Sequence, residues 1–298
     1  MVFFLEDLLT GDTAHRGVVE EEDEARATEI APQYDAAPEV HWAEGATSPS
    51  HPSVLFLVGQ PACLLAEAFF PGALPTGTID VAELVRVRSP LEEEYGPLQK
   101  PVHTCTLHAW SPAAAAPAGA APLLLVACPR ELAAEQAGAW ARGVLAALAP
   151  ARAALACTLP AMHYRGAGSP ADDDLVFSLH TAAAQAARGG SRAAADLPPQ
   201  LPAATMLGGL PAALLVECEL GGLPAALVAG VQQQQVPDAA FLLALGCATQ
   251  AALGSLGASP PAAEQQRRQQ QGKHELLAAL GAGADAVYRS SASSSIFS

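Results

Sequence analysis

Basic side chains are scarce in this chain. Fifteen Lys and Arg stand against 30 Asp and Glu among 298 residues, a formal net charge of −15. Neutralising a phosphate backbone takes clustered cations, and none cluster here, so a nucleic-acid partner is not expected. An anionic membrane surface is disfavoured on the same ground. The acidic balance suits a basic protein surface as partner, and it serves solubility equally. The six cysteines, at 63, 105, 128, 157, 218 and 247, never form a C-x-x-C pair, and each falls within an apolar segment. Buried, reduced thiols and an intracellular protein are the expectation. The opening MVFFLEDLL lacks a basic n-region and breaks its apolar run at Glu6. It does not read as a signal peptide, and the apolar runs are broken by polar residues or proline short of membrane-spanning length, so membrane insertion is not expected.

Several chemical signatures are missing too. Gly-x-Ser-x-Gly, the Walker-type Gly-x-x-x-x-Gly-Lys and His-Glu-x-x-His do not occur. Gly166-x-Gly168-x-x-Ala171 and Gly281-x-Gly283-x-x-Ala286 satisfy a loose dinucleotide pattern. Neither has the strand-turn-helix setting that pattern needs: the first is set off by Met162-His163-Tyr164-Arg165 and contains Pro170, and the second follows a helix. His103, Cys105 and His108 are close in sequence, but on a strand the first two face one side and His108 the other, so they cannot share a metal. Asp172, Asp173 and Asp174 read as acids opening a helix that runs to about Ala187, where they satisfy free N–H groups and the helix dipole. No cofactor and no metal are expected.

What is present is apolar: 51% of the residues, enough for a sizeable core although alanine inflates the count. Residues 1–52 are acidic and poor in large aliphatics, with Glu20-Glu21-Glu22-Asp23-Glu24 at their centre, and predict a largely disordered arm, with Met1 to Leu9 as a small apolar hook. Ser53 to Gly59 reads as a buried strand and Pro61 to Phe70 as the helix behind it. Ile79 to Arg88 and Val102 to Trp110 alternate like strands with one wet face. Ser111 to Pro122 is an Ala/Pro spacer suited to a hairpin. Leu123 to Cys128, Glu131 to Leu148 and Ala153 to Leu159 then read as strand, amphipathic helix and strand, a parallel crossover. A Gly/Ser/Pro-rich linker spans Gly189 to Pro202.

The stretch Gly209 to Gly230 writes Gly-Leu-Pro-Ala-Ala-Leu twice, in two roles. In the first copy Leu210, Leu214, Leu215 and Cys218 recur at helical spacing, Pro211 suits a first turn, and Gly221-Gly222 supplies a left-handed stop. The second copy, Leu223 to Val228, is short and apolar and reads as a buried strand. Helices follow over Val236 to Leu256 and Lys273 to Leu280, separated by Gln-rich padding. The whole predicts an α/β fold: one single-domain α/β/α sandwich over 53–289 with a mixed, largely parallel sheet, and a short tail over 290–298.

This duplicated block resembles the proteasome assembly chaperones, which show a helix beginning near Leu-Pro-Ala-Ala-x-Leu, a short link, and an Ile/Leu-Pro-Ala-x-Leu strand. Val54-Leu55-Phe56-Leu57-Val58-Gly59 leading into a helix agrees in order. So does Ala154 to Leu159 leading through a loop to Leu175-Val176-Phe177-Ser178-Leu179. The resemblance runs from about Ser53 onward and rests outside the block on pattern more than identity. It implies a non-enzymatic chaperone of 20S proteasome core assembly, paired as a heterodimer with a related subunit, proteasome assembly chaperone 2, on the ring of proteasome α-subunits. Cytoplasm, with the nucleus as a second compartment, is the implied location.

The final residues Ile296, Phe297 and Ser298 end a Ser-rich tether in hydrophobic-aromatic-any form. Tails of the form hydrophobic-tyrosine-any in that family insert between neighbouring α-subunits, so these three residues are the implied docking tail. An aliphatic and an aromatic side chain would fill an apolar slot while the terminal carboxylate meets a lysine. Phe297 departs from the tyrosine and lacks its phenol. The rival expectation is an enzyme on a similar sandwich, phosphorylase- or hydrolase-like, using the loop 163–169 with His163, Tyr164, Arg165 and Ser169, where Arg165 could hold an anion. Exposed apolar helix positions are the candidates for the contact with a partner subunit.

Overall fold

The computed structural model describes residues 38–46, 49–50, 52–80, 104–111, 123–130, 132, 134–168, 175–188, 197–232 and 237–257. In chain order the elements are β1 (Glu39–Trp42), β2 (Ser53–Val58), α1 (Gln60–Phe69), β3 (Leu74–Asp80), β4 (Thr104–Trp110), β5 (Leu123–Cys128), α2 (Ala134–Leu148), β6 (Arg152–Pro160), β7 (Val176–His180), α3 (Ala182–Arg188), α4 (Gly209–Leu220), β8 (Ala225–Gln232) and α5 (Ala239–Ser255). A one-turn 3₁₀ helix, Ala161–His163, follows β6.

The strands form a single eight-stranded sheet in the order β1-β3-β4-β5-β2-β6-β8-β7. Its centre, β5-β2-β6-β8, is parallel. The wing β1-β3-β4 and the edge β7 join antiparallel. Parallel strands need helical crossovers that cover both faces, which is why β2, β5 and β8 are near-continuous apolar runs without polar alternation. The crossover through α2 carries the chain from β5 to β6, with β2 lying between the two.

Two cores result, one on each face. Val54, Phe56, Val126, Leu155 and Leu227 point to the side of α2 and α4. Leu55, Leu57, Leu125, Ala156 and Val228 point to the side of α1 and α5. Small residues on the central strands let the helices come close. Gly230 of β8, for example, lies under the ring of Phe241, so that a Cβ there would sit 2.6 Å from a ring carbon. The expected α/β/α sandwich is therefore observed, with a mixed sheet whose parallel strands are at the centre.

The glycine stop is also as expected. Gly222 has φ 64, the Leu223 N–H donates to the Cys218 carbonyl at 2.8 Å, and the Gly222 N–H donates to that of Glu219 at 3.1 Å. This pair of bonds is the Schellman arrangement. It turns α4 directly toward β8, whose ladder begins at Ala225.

Four local expectations are corrected. The helix opened by Asp172 to Asp174 is not there over 176–180, which are strand β7, paired antiparallel with β8. The helix starts only at Ala182, with the Thr181 hydroxyl accepting from the Ala184 N–H at 3.3 Å. The edge of β8 takes Val176–His180 as a strand, and the alanine run that follows does form the helix. Asp172 to Asp174 themselves lie outside the described residues. The end of the expected linker is not free either: Ser178 bridges Gln200, the Ser178 N–H donates to Pro199 at 2.8 Å and the Leu201 N–H donates to Ser178 at 3.0 Å.

The strand expected from Ile79 begins at Leu74 instead, despite Pro75 and Gly77, because a register shift between them absorbs the irregularity. Finally, Glu39–Trp42, inside the segment expected to be an arm, is strand β1 on β3. Pro38 before it is seated against Gly143 of α2, where a Cβ would lie 2.3 Å from the proline ring. The helix expected at Lys273 to Leu280 lies outside the described residues.

Candidate functional site

The loop after β6 was the best polar cluster in the sequence, and its geometry is now explicit. Pro160 ends the strand and the 3₁₀ turn presents Met162 and His163. Tyr164 turns inward and stacks on Phe177 of β7, ring centroids 5.4 Å apart and 26° between planes. Its hydroxyl donates to the Ala167 carbonyl. Gly166 is required beneath it, since a Cβ there would lie 2.3 Å from the tyrosine oxygen and 2.6 Å from Pro202. Arg165 folds back, donating from one guanidinium nitrogen to the Met162 carbonyl at 2.6 Å and the Tyr164 carbonyl at 2.9 Å.

A second strand of chain is zipped alongside. The Arg165 N–H donates to the Thr205 hydroxyl at 3.2 Å, and the Met206 N–H donates to the His163 carbonyl at 3.1 Å. The tyrosine hydroxyl and the Arg165 guanidinium thus bond to main-chain carbonyls, and the Thr205 hydroxyl accepts a main-chain N–H. Together they shape the loop, and no base-nucleophile pair is assembled among His163, Tyr164 and Arg165. Ser169 lies outside the described residues, as do Pro170 and Ala171 of the first dinucleotide-like pattern and the whole of the second.

Two of the three residues of the metal alternative are described. Cys105 is buried on the α2 and α4 side. The His108 Nε2 meets the Thr106 hydroxyl at 3.1 Å on the other face, and partial burial holds its imidazole below the ordinary value. His103 lies outside the described residues. Among the described residues, no group of three or more His, Cys, Asp or Glu is placed to hold a metal ion. No helix among them is long and apolar enough to cross a membrane.

What the surface does offer is exposed apolar side chains. On α4, Leu210, Leu214 and Cys218 are buried, while Val216 and Leu220, one turn apart, are 54% and 77% exposed. A helix apolar on both sides has more hydrophobic surface than its own domain covers. The neighbouring helix is tied to it by an ion pair, Arg142 Nε to Glu217 Oε1 at 3.3 Å. Met162 and Met206, held together by the zipper, are 72% and 64% exposed at the carboxyl end of β6. The sequence offered exposed apolar helix positions only as a class, and the structure puts Val216 and Leu220 in it. The methionines carried no such signal, because they come from two segments joined only in the fold. The predicted docking tail, Ile296, Phe297 and Ser298, lies outside the described residues.

Fold and surface together define a class: a three-layer α/β/α sandwich whose surface offers apolar contact positions. No protein-family profile and no curated protein matches the sequence. Among solved structures the chain is similar to PbaB of Pyrococcus furiosus, an archaeal proteasome activator, with 12% identity and a TM-score of 0.52 over 82% of this chain and 99% of that one. It is also similar to PbaA of the same organism, an archaeal homolog of proteasome-assembly chaperone, with 12% identity and a TM-score of 0.49 over 88% of this chain and 100% of that one. A Mycobacterium tuberculosis proteasome-assembly chaperone homologue gives 14% identity and a TM-score of 0.41 over 76% of this chain and 93% of that one. At such identities the likeness is one of fold, and the fold is that of PbaB.

Proposed function

We propose that this chain is a proteasome assembly chaperone, of the kind represented by proteasome assembly chaperone 1, that acts by binding and performs no covalent chemistry. The observation that carries the reading is the fold likeness to PbaB, which spans 99% of that chain. The loop after β6 supports it, because the Tyr164 hydroxyl and the Arg165 guanidinium are bonded to main-chain carbonyls.

In this reading the protein pairs with a related subunit, proteasome assembly chaperone 2, through the outer face of α4. The pair sits on the α-ring of the 20S core in the cytoplasm and nucleus, favouring correct ring association. Ile296, Phe297 and Ser298 dock between α-subunits, the carboxylate against a lysine and the two larger side chains in an apolar slot. Without the phenol, Phe297 relies on shape and apolar burial.

The test is affinity capture from extract with the full chain and with a chain lacking Ile296 to Ser298. The full chain is expected to bring down proteasome α-subunits and a second assembly chaperone. The truncated chain is expected to retain the second chaperone and lose the α-subunits. Equal recovery of α-subunits by both would refute the tail assignment. Co-elution of a small ligand with no proteasome subunit would refute the chaperone reading.

A further inference from the structure

β4 and β5 run antiparallel, and their ladder sets Thr106 opposite Ala127. Continuing that register one residue past its last paired position brings Cys105 of β4 opposite Cys128 of β5. Directly opposed residues of an antiparallel pair present their side chains on one face, and both cysteines are buried in the core beneath α2 and α4. The main chain of Cys128 settles which kind of pair this is. Its carbonyl accepts from the Gly59 N–H at 2.8 Å, on the β2 side. A strand residue turns its N–H and C=O to the same side, so Cys128 directs neither toward β4. The pair is therefore of the non-hydrogen-bonded kind, with Cα atoms about 4.5 Å apart and side chains at their closest. That separation falls within the roughly 4.4–6.8 Å that a disulfide spans. Both are free thiols and members of that one buried cluster.

We propose that Cys105 and Cys128 form a modification site that closes a cross-strand disulfide on exposure to a low-molecular-weight disulfide such as oxidised glutathione. In a transient local opening that admits the reagent to the buried pair, one thiolate attacks a glutathione sulfur, giving a mixed disulfide and releasing one glutathione. The second thiolate then displaces the other. Two S–H bonds are lost and one S–S bond is gained, so the protein gives up two electrons and two protons, which leave with the two glutathiones. The product staples the antiparallel wing to the parallel centre, because β4 and β5 are the strands at which the two meet.

Cys63 is a third thiol nearby. It lies in the first turn of α1 with its Sγ donating to the Leu57 carbonyl at 3.4 Å, and it interacts electrostatically with Cys105 and Cys128. The hydrogen bond with Cys105, and after it burial, holds the Cys128 thiol well above its ordinary value. Thiolate is the attacking species, so closure is slow at neutral pH and speeds up in alkali.

The full chain is equilibrated with oxidised glutathione, its remaining thiols are blocked with N-ethylmaleimide, and it is digested without reduction. Peptide mapping is expected to show one linked pair joining Cys105 to Cys128, released by dithiothreitol and absent from Cys128→Ala. The circular dichroism of the oxidised wild-type chain is expected to match that of the reduced one, and this arm decides the matter even if the variant fails to fold. Six blocked thiols, glutathione adducts without a cross-link, a link through Cys63, or a cross-link that forms only with loss of the native spectrum would each overturn the proposal.

Discussion

The ring of Phe69 occupies the space a side chain at residue 246 would need: a Cβ there would lie 2.1 Å from the nearest ring carbon. This contact joins α1 to α5, the two helices of one layer. Phe69 is fully buried, so its ring has no solvent to swing into. Gly246→Ala gains about 1 kcal/mol of helix propensity and forces an overpacked core that costs about 1–3 kcal/mol. Overpacking is expected to win, with a net loss of stability seen as a lower urea midpoint at unchanged slope. A higher midpoint would show that the two helices can separate freely.

Thr181 is the polar junction between α3 and β8. Its buried hydroxyl donates to the Leu223 carbonyl at 3.0 Å, and it accepts from the Ala225 N–H at 2.9 Å and from Ala184 at 3.3 Å. Thr181→Val keeps the shape and strands those groups in a dry site. A loss of about 1–3 kcal/mol is expected in chemical denaturation. Thr181→Ser, which keeps the oxygen, should recover most of it.

Burial pushes the Cys63 thiol up to about 12, with the neighbouring Cys105 adding to the shift. Burial, with Glu217 beside it, likewise takes Cys218 to about 12. Above the ordinary value of 9.0 the unfolded thiol gives up its proton while the folded one keeps it, so the unfolded state binds fewer protons and stability falls as pH rises. The contribution of these groups is fully present below pH 9.0 and is lost on the way to about 12. The slope is at most about 1.4 kcal/mol per pH unit for each thiol. Under reducing conditions Cys63→Ala and Cys218→Ala should each flatten the decline. An equal slope in wild type and variants would remove the thiols as its cause.

Much of this architecture was legible before any coordinates, for physical reasons. Val54 to Val58 had to be buried on both faces because five apolar residues in a row leave no wet side, and Gly221-Gly222 after Cys218 had to stop a helix. The misreadings share another cause. Val176–His180 is five residues long, and what makes it a strand is the free edge of β8, contributed by residues some fifty positions later. Glu39–Trp42 is likewise a strand because β3 and α2 receive it. Local composition holds no trace of such partners. At the surface, helical spacing marked the buried side of α4 through Leu210, Leu214 and Cys218 but did not single out Val216 and Leu220, and the segments of Met162 and Met206 are joined only through the hydrogen bond from the Met206 N–H to the His163 carbonyl.

The outer face of α4 gives the sharpest test of how this protein would meet a partner subunit. Val216 and Leu220 are exposed and one turn apart, and the ion pair between Arg142 and Glu217 borders them. Replacing an exposed side chain changes the fold's own stability little, about 0.5 kcal/mol, so Val216→Glu and Leu220→Glu should leave the thermal midpoint and circular dichroism almost unmoved. If α4 is the contact, each buries an unpaired carboxylate there and should weaken pairing about 10- to 100-fold, as expected for central contact positions. Titration of the variants against the co-purified second subunit measures this. Met206→Glu, on the other exposed apolar patch, is the matched control and should bind as wild type does. Loss of pairing with Met206→Glu and not with the α4 variants would move the contact to the carboxyl end of β6.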